Sequence, residues 1–219
     1  MTTQRICRLG VLMFALATQQ NAGAQTEPVS AEDTLPNAAA IARAVADSIR
    51  FPWTMADVQF MGAMIGHHSQ AVVMSRLAPT HGASPEIQRL AERIINAQKD
   101  EITAMQRWLR NRRQPQPAEH VAAGGHAHHG ALMPGMLSDE QLKELDLARG
   151  AQFDRLFLTY MIKHHQGAVG MVNELFTTGG AAHDETVFKF ASDVQIDQIT
   201  EITRMQKMLF ALVTGVTIR

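Results

Sequence analysis

The stretch DVQFMGAMIGHHSQAVVM at residues 57–74 returns 97 residues later as DRLFLTYMIKHHQGAVGM at residues 154–171. Nine of the eighteen positions are identical: Asp57/Asp154, Phe60/Phe157, Met64/Met161, Ile65/Ile162, His67/His164, His68/His165, Ala71/Ala168, Val72/Val169 and Met74/Met171. A second block repeats at an offset of 100, pairing Gln98/Gln198, Glu101/Glu201, Ile102/Ile202, Thr103/Thr203, Met105/Met205, Gln106/Gln206 and Leu109/Leu209. Self-similarity at a nearly fixed offset marks a duplicated supersecondary unit. The shift from 97 to 100 is absorbed between the blocks, so each copy reads as two segments joined by a turn.

Both segments carry the helical period. Apolar residues recur at three- and four-residue spacing, at Phe60, Met64, Ile65, Ala71 and Val72, then at Ile87, Leu90, Ile94, Ile102, Met105 and Leu109. Ser84-Pro85-Glu86 has the form of a helix start, with Ser84 as the cap, Pro at the first position and an early acid. Pro79 and Gly82 break the first segment from the second, Gly179-Gly180 do so in the second copy, and Asp184 can cap the last helix. Helices are therefore expected at 54–78, 84–110, 151–176 and 184–213.

Outward from these hairpins, residues 1–24 read as a signal peptide. Arg5 and Arg8 precede the apolar run Leu9–Ala17, and Asn21-Ala22-Gly23-Ala24 offers small residues for cleavage before Gln25. That run is far short of the ~20 residues of a membrane span. Residues 25–52 form a leader and a short helix over 37–50. The duplicated body covers 53–213: repeat one at 53–110, a His- and Met-rich linker at 111–137, and repeat two at 138–213. The linker is rich in Pro, Gly and His and has no period; Ser138-Asp-Glu-Gln141 then forms a capping box. Two helical hairpins joined by one long connection imply an all-α four-helix bundle.

The composition narrows the function. Met reaches 13 and His 10 in a chain with 5% aromatics, and both are metal ligands. A net charge of −1 gives no basic footprint for nucleic acid. The single cysteine, Cys7, falls inside the signal peptide, so an exported chain has neither disulfides nor thiolate metal sites. The expected compartment is the periplasm or the exterior, with no membrane span after signal removal.

At about 100° per residue, Phe60 and Ala71 lie within about 40° of Met64, while His68 and His67 fall about 40° and 60° to either side. The His-His pair thus straddles the buried stripe, and His164-His165 repeats the arrangement around Met161. Burying four imidazoles without partners costs on the order of 1–3 kcal/mol each. Candidate metal ligands are therefore His67, His68, His164 and His165 with Met64, Met74, Met161 and Met171. Glu101 and Glu201 lie on the apolar stripes of the second helices. A buried carboxylate needs a partner; each is a candidate ligand, or accepts a proton from a ligating imidazole, or pairs with a nearby Lys or Arg. His120, His126, His128 and His129 of the linker, followed by Met133 and Met136, form a weaker candidate tract.

The motifs Met64-Ile65-Gly66-His67-His68 to Met74 and Met161-Ile162-Lys163-His164-His165 to Met171 resemble the bacterial domain of unknown function 305 family. So do Met133-Pro134-Gly135-Met136-Leu137-Ser138-Asp139, Phe153-Asp154-Arg155-Leu156-Phe157-Leu158, and Glu101-Ile102-x-x-Met105 with its copy at Glu201. The resemblance spans about residues 53–212. It implies a ferritin-like bundle, export and, for some members, copper binding and copper tolerance.

Thioether with imidazole suits Cu(I), whereas zinc sites are built from Cys, His and carboxylate. The leading expectation is an exported copper-binding protein that sequesters the ion or hands it on. A di-iron-type oxidase on the same bundle would need Glu-x-x-His on two helices. Met64 and Met161 stand where those glutamates would be. A metal-free structural or partner-binding bundle is the third reading. No nucleophile triad, P-loop or dinucleotide fingerprint indicates an enzyme. The sequence leaves open a homo-oligomer or a metal-delivery partner.

Overall fold

The computed structural model describes residues 38–50, 52–117 and 132–216. The expected signal peptide at residues 1–24, most of the expected leader and the linker histidines His120, His126, His128 and His129 lie outside the described residues. The chain divides into a unit ending at Ile41 and a unit from Ala42 onward that holds the bundle. Helix α1 (Ala38–Arg50) spans that boundary. The bundle consists of α2 (Met55–Arg76), α3 (Pro85–Asn111), the short α4 (Asp139–Leu147), α5 (Gly150–Thr177) and α6 (Glu185–Thr214), with a 3-10 turn at Ala78–Thr80. Among the described residues there is no strand.

Each helix start has a local cause. Thr54 caps α2 in a reciprocal box: its hydroxyl accepts from the Asp57 amide at 3.3 Å, and the Asp57 carboxylate accepts from the Thr54 amide at 2.7 Å. Ser138 and Gln141 form the same box at α4. Asp184 caps α6 by accepting from the Val187 amide at 3.1 Å, and it also pairs with Arg112 at 2.5 Å. Ser84 departs from expectation: its side chain makes no capping bond, and its amide donates to Asp154 of α5 at 3.2 Å instead.

Asp57 and Asp154, equivalent in the duplication, each brace the turn of the other hairpin. Asp57 takes the Ala182 amide at 2.7 Å, as Asp154 takes that of Ser84. Helix α3 packs on α2, α6 packs on α5, and α2 meets α5 at the centre. One apolar cluster joins Met61, Met64 and Ile65 of α2 to Met105 and Leu109 of α3, Met171 and Val172 of α5, and Val187 and Val194 of α6. The other joins Ala71 and Met74 to Ile87, Leu90 and Ile94 of α3 and to Phe153, Phe157 and Met161 of α5. The start of α2 and the end of α5 share one cluster, so the two central helices run antiparallel. The His-His pairs fall between the clusters. Between α3 and α6 a groove of about 1190 Å³ remains.

The segment before α4 differs most from expectation. Residues 132–137 are not free linker. They lie as a strap across α2 and α5. The Gln70 side chain clamps the backbone of Leu137, donating to its carbonyl at 3.0 Å and accepting from its amide at 2.8 Å. Gly135, at φ +79°, rests against α5, and a Cβ placed there would meet the Lys163 carbonyl at 2.5 Å. At Gly167 a Cβ would fall inside the Pro134 carbonyl group. Glycine is required at both positions by close backbone approach.

Candidate metal centre

The four histidines meet at the α2/α5 contact. His67, His68, His164 and His165 are all at most 1% exposed. The rings of His67 and His164 lie 3.8 Å apart, centroid to centroid, with their planes at 38°. His68 and His165 flank them, each about 6 Å from its chain neighbour. Adjacent positions on one helix differ by ~100°. One member of each pair therefore faces the opposite central helix, and the other faces the hairpin partner.

The outer pair meets the glutamates. Glu101 of α3 comes within 2.6 Å of His68 Nε2, without the alignment of a hydrogen bond. Glu201 of α6 makes a hydrogen-bonded contact with His165 Nε2 at 2.7 Å. The partners of these carboxylates are thus imidazoles rather than lysines. About a fifth of each glutamate side chain remains exposed, so the cluster reaches the surface along them. Asp197 of α6 lies near both. Its carboxyl is raised above the usual range by partial burial, then by the charges of Glu101, Glu201 and Asp193.

The inner pair is held by backbone. His67 Nε2 stands 3.0 Å from the Pro134 carbonyl oxygen of the strap. A carbonyl only accepts, so Nε2 carries the proton and Nδ1 of the neutral ring is a lone pair. Burial pushes the His67 imidazole down to about 3, with His68 and His165 adding to the shift and the Pro134 hydrogen bond opposing it. His164 is pushed well below its ordinary value, chiefly by burial and next by its neighbours His67, His165 and His68. Both inner rings are therefore neutral at pH 7.

Five buried imidazole nitrogens have no hydrogen-bond partner: Nδ1 of His67 and His165, both nitrogens of His68, and Nε2 of His164. Met64, Met74 and Met161 are fully buried and Met171 is 8% exposed, all in the apolar clusters on either side of the histidines. Lone pairs on the neutral inner rings, with buried thioethers in the clusters on either side, are the donor types that suit a soft cation. Among the described residues no three His, Asp or Glu groups stand in an arrangement that holds a metal by themselves. Sequence reasoning missed the Pro134 carbonyl, Gln70 and Gly167. Backbone carbonyls carry no sequence signal, and the Met133–Asp139 motif was legible only as a family resemblance, not as part of this site.

The Domain of unknown function (DUF305) family model matches residues 57–209. No curated protein matches the chain. The chain is similar to a DUF305 protein of Streptomyces coelicolor inferred to be secreted, at 28% identity and a TM-score of 0.61, over 72% of this chain and 93% of that one. It is similar to CopM in its Cu(II)-bound form, at 32% identity and a TM-score of 0.56, over 70% of this chain and 95% of CopM. The Cu(I)-bound form of CopM aligns at 31% identity and a TM-score of 0.54, over 71% and 95%. With the family model covering both hairpins, the strap and the His-His pairs, the chain belongs to the DUF305 family.

Proposed function

We propose that the protein binds copper, chiefly as Cu(I), at the α2/α5 contact, and that its role is sequestration or transfer of the ion outside the cytoplasm. The observation that carries the reading is the set of unpartnered buried imidazole nitrogens beside buried thioethers. An apolar core gains nothing from unpartnered imidazole nitrogens on all four rings, each costing on the order of 1–3 kcal/mol; a soft cation would satisfy their lone pairs. CopM, similar over most of both chains, is known in Cu(I)- and Cu(II)-bound forms. Copper here is cargo.

His67 and His164, neutral and unable to compete for protons at pH 7, would be the first ligands, with Met64, Met74, Met161 and Met171 able to complete a two- to four-ligand soft site. Pro134 fixes the tautomer of His67, the usual job of a group behind a metal-binding histidine. Glu201, and Glu101 on His68, would orient the outer imidazoles and draw a cation inward. Export is supported by the signal-like residues 1–24 and by the secreted character inferred for the Streptomyces coelicolor relative. No described helix is long and apolar enough to cross a membrane.

X-ray absorption of the Cu(I)-loaded protein tests the donor set. Mixed nitrogen and sulfur scatterers are expected at copper, with sulfur lost when Met64, Met74, Met161 and Met171 become Leu. A shell of nitrogen and oxygen alone would rule out the thioethers.

A further inference from the structure

Repeat one supplies an internal control for the outer face of α6. At the offset of 100 that aligns the second helices, Phe188, Ile196, Ile199 and Phe210 correspond to Gln88, Asn96, Lys99 and Arg110. The same position in the same hairpin is solvent-facing and polar in one copy and solvent-facing and apolar in the other. Phe188 is 55% exposed, Ile196 64%, Ile199 49%, Phe210 59% and Val213 67%. Phe188 also rests its ring on Phe176 of α5, 5.6 Å centroid to centroid, but the hairpin fold does not require Ile196, Ile199 and Phe210 to be apolar.

They form one stripe. Phe188, Ile199 and Phe210 are spaced by eleven residues, three turns, and drift only about 20° per step. Ile196 and Val213 lie within about 60° of Ile199. The residues between them on this face, Ser192, Thr203 and Gln206, are uncharged. A contiguous exposed apolar face of this kind marks an interaction surface.

We propose that this face is a homodimer interface, with α6 packed antiparallel on α6 of a second copy about a two-fold axis at Ile199. The stripe is self-complementary in that sense only. Phe188 and Phe210 stand equally far on either side of Ile199, so the axis brings Phe188 onto the partner's Phe210 and Ile199 onto the partner's Ile199. The flanking charges are mixed. Asp193, paired with Lys189 at 2.6 Å on its own helix, lies six residues before Ile199, and Arg204 and Lys207 lie five and eight after it on the same flank. An antiparallel pair sets the Lys189–Asp193 pair level with the partner's Lys207 and Arg204, so Asp193 meets opposite charge while Lys189 meets like charge. Helix α6 has 30 residues, so it is about 45 Å long and its face covers roughly 450–550 Å² per copy. The two faces together cover about 900–1,100 Å², below the range of stable specific interfaces and within that of weak, transient ones, so the dimer is reversible.

The test combines sedimentation equilibrium of the whole chain with cysteine cross-linking in a Cys7→Ser background. Wild type is expected to show a concentration-dependent monomer–dimer equilibrium. Ile199→Lys with Phe210→Arg, which restores the repeat-one residues, should abolish the dimer while leaving helical content and Tm unchanged. Ile199→Cys should cross-link to itself. Phe188→Cys should cross-link to Phe210→Cys in a mixture but not to itself. A wild type that stays monomeric at 100 µM, whether its stripe is bare or covered by its own α1, overturns the proposal. So does a dimer that survives the double substitution, or self-cross-linking of Phe188→Cys.

Discussion

Asp57 holds the Ala182 amide at 2.7 Å while Asp154 holds the Ser84 amide at 3.2 Å, so each repeat's first helix locks the other repeat's turn. The two bonds make the hairpins interdependent, but not equally. Asp57 also closes the α2 capping box. Asp57→Ala should cost about 2–4 kcal/mol, from a lost cap and an orphaned buried amide. Asp154→Ala should cost about half of that. Denaturant midpoints with unchanged m-values would check the order; equal costs would mean that the box contributes nothing.

The strap gives a sharper steric prediction. Gly167→Ala drives a methyl into the Pro134 backbone, which cannot yield without lifting the strap, so a loss of about 2–3 kcal/mol or more is expected. Gly170→Ala, three residues on, meets nothing within 4 Å and should stabilise the helix by about 0.5–1 kcal/mol. Opposite shifts in thermal unfolding would confirm both. A neutral Gly167→Ala would show that the strap is not seated on α5.

Acid should weaken the metal-free protein before its carboxylates titrate. His67 and His164 have folded values below the unfolded value of about 6.5, so the unfolded chain binds protons first. Their contribution is fully present above pH 6.5 and is lost as pH falls from there toward about 3, where His67 itself protonates. Between pH 7.5 and 5.5 each ring should cost about 1.4 kcal/mol. Urea denaturation at the two values measures it. His67→Asn with His164→Asn should flatten the dependence; a flat wild-type profile would mean that these rings are solvated.

Much of this was legible in the sequence. The doubled blocks place all four long helices within two residues, because the apolar period and the Pro, Gly and capping signals agree there. The shared buried stripes offered Glu101 and Glu201 as metal ligands, as acceptors from an imidazole or as partners of a Lys or Arg, and the structure sets them against His68 and His165. The strap was not legible: Met133-Pro134-Gly135-Met136 has no period, and what fixes it is a carbonyl, a glycine contact and the Gln70 side chain, none of which shows at the level of residue pattern. Ser84 looked like a side-chain cap because Ser-Pro-Glu is a common helix start, yet tertiary contact with Asp154 took over its amide.

The central claim is that the His-His pairs at the α2/α5 contact, not the linker histidines, bind copper. Competition titration of Cu(I) under reducing, anaerobic conditions tests it most directly, on wild type, on His67→Ala with His164→Ala, and on a variant with His120, His126, His128 and His129 all changed to Ala. Helical content should persist in both variants, since the core changes leave cavities but remove no helix signal. The account predicts that the core double variant loses affinity by 100-fold or more, about 2.7 kcal/mol or above, while the linker variant stays within a few-fold of wild type. Full Cu(I) affinity in the core variant would contradict it.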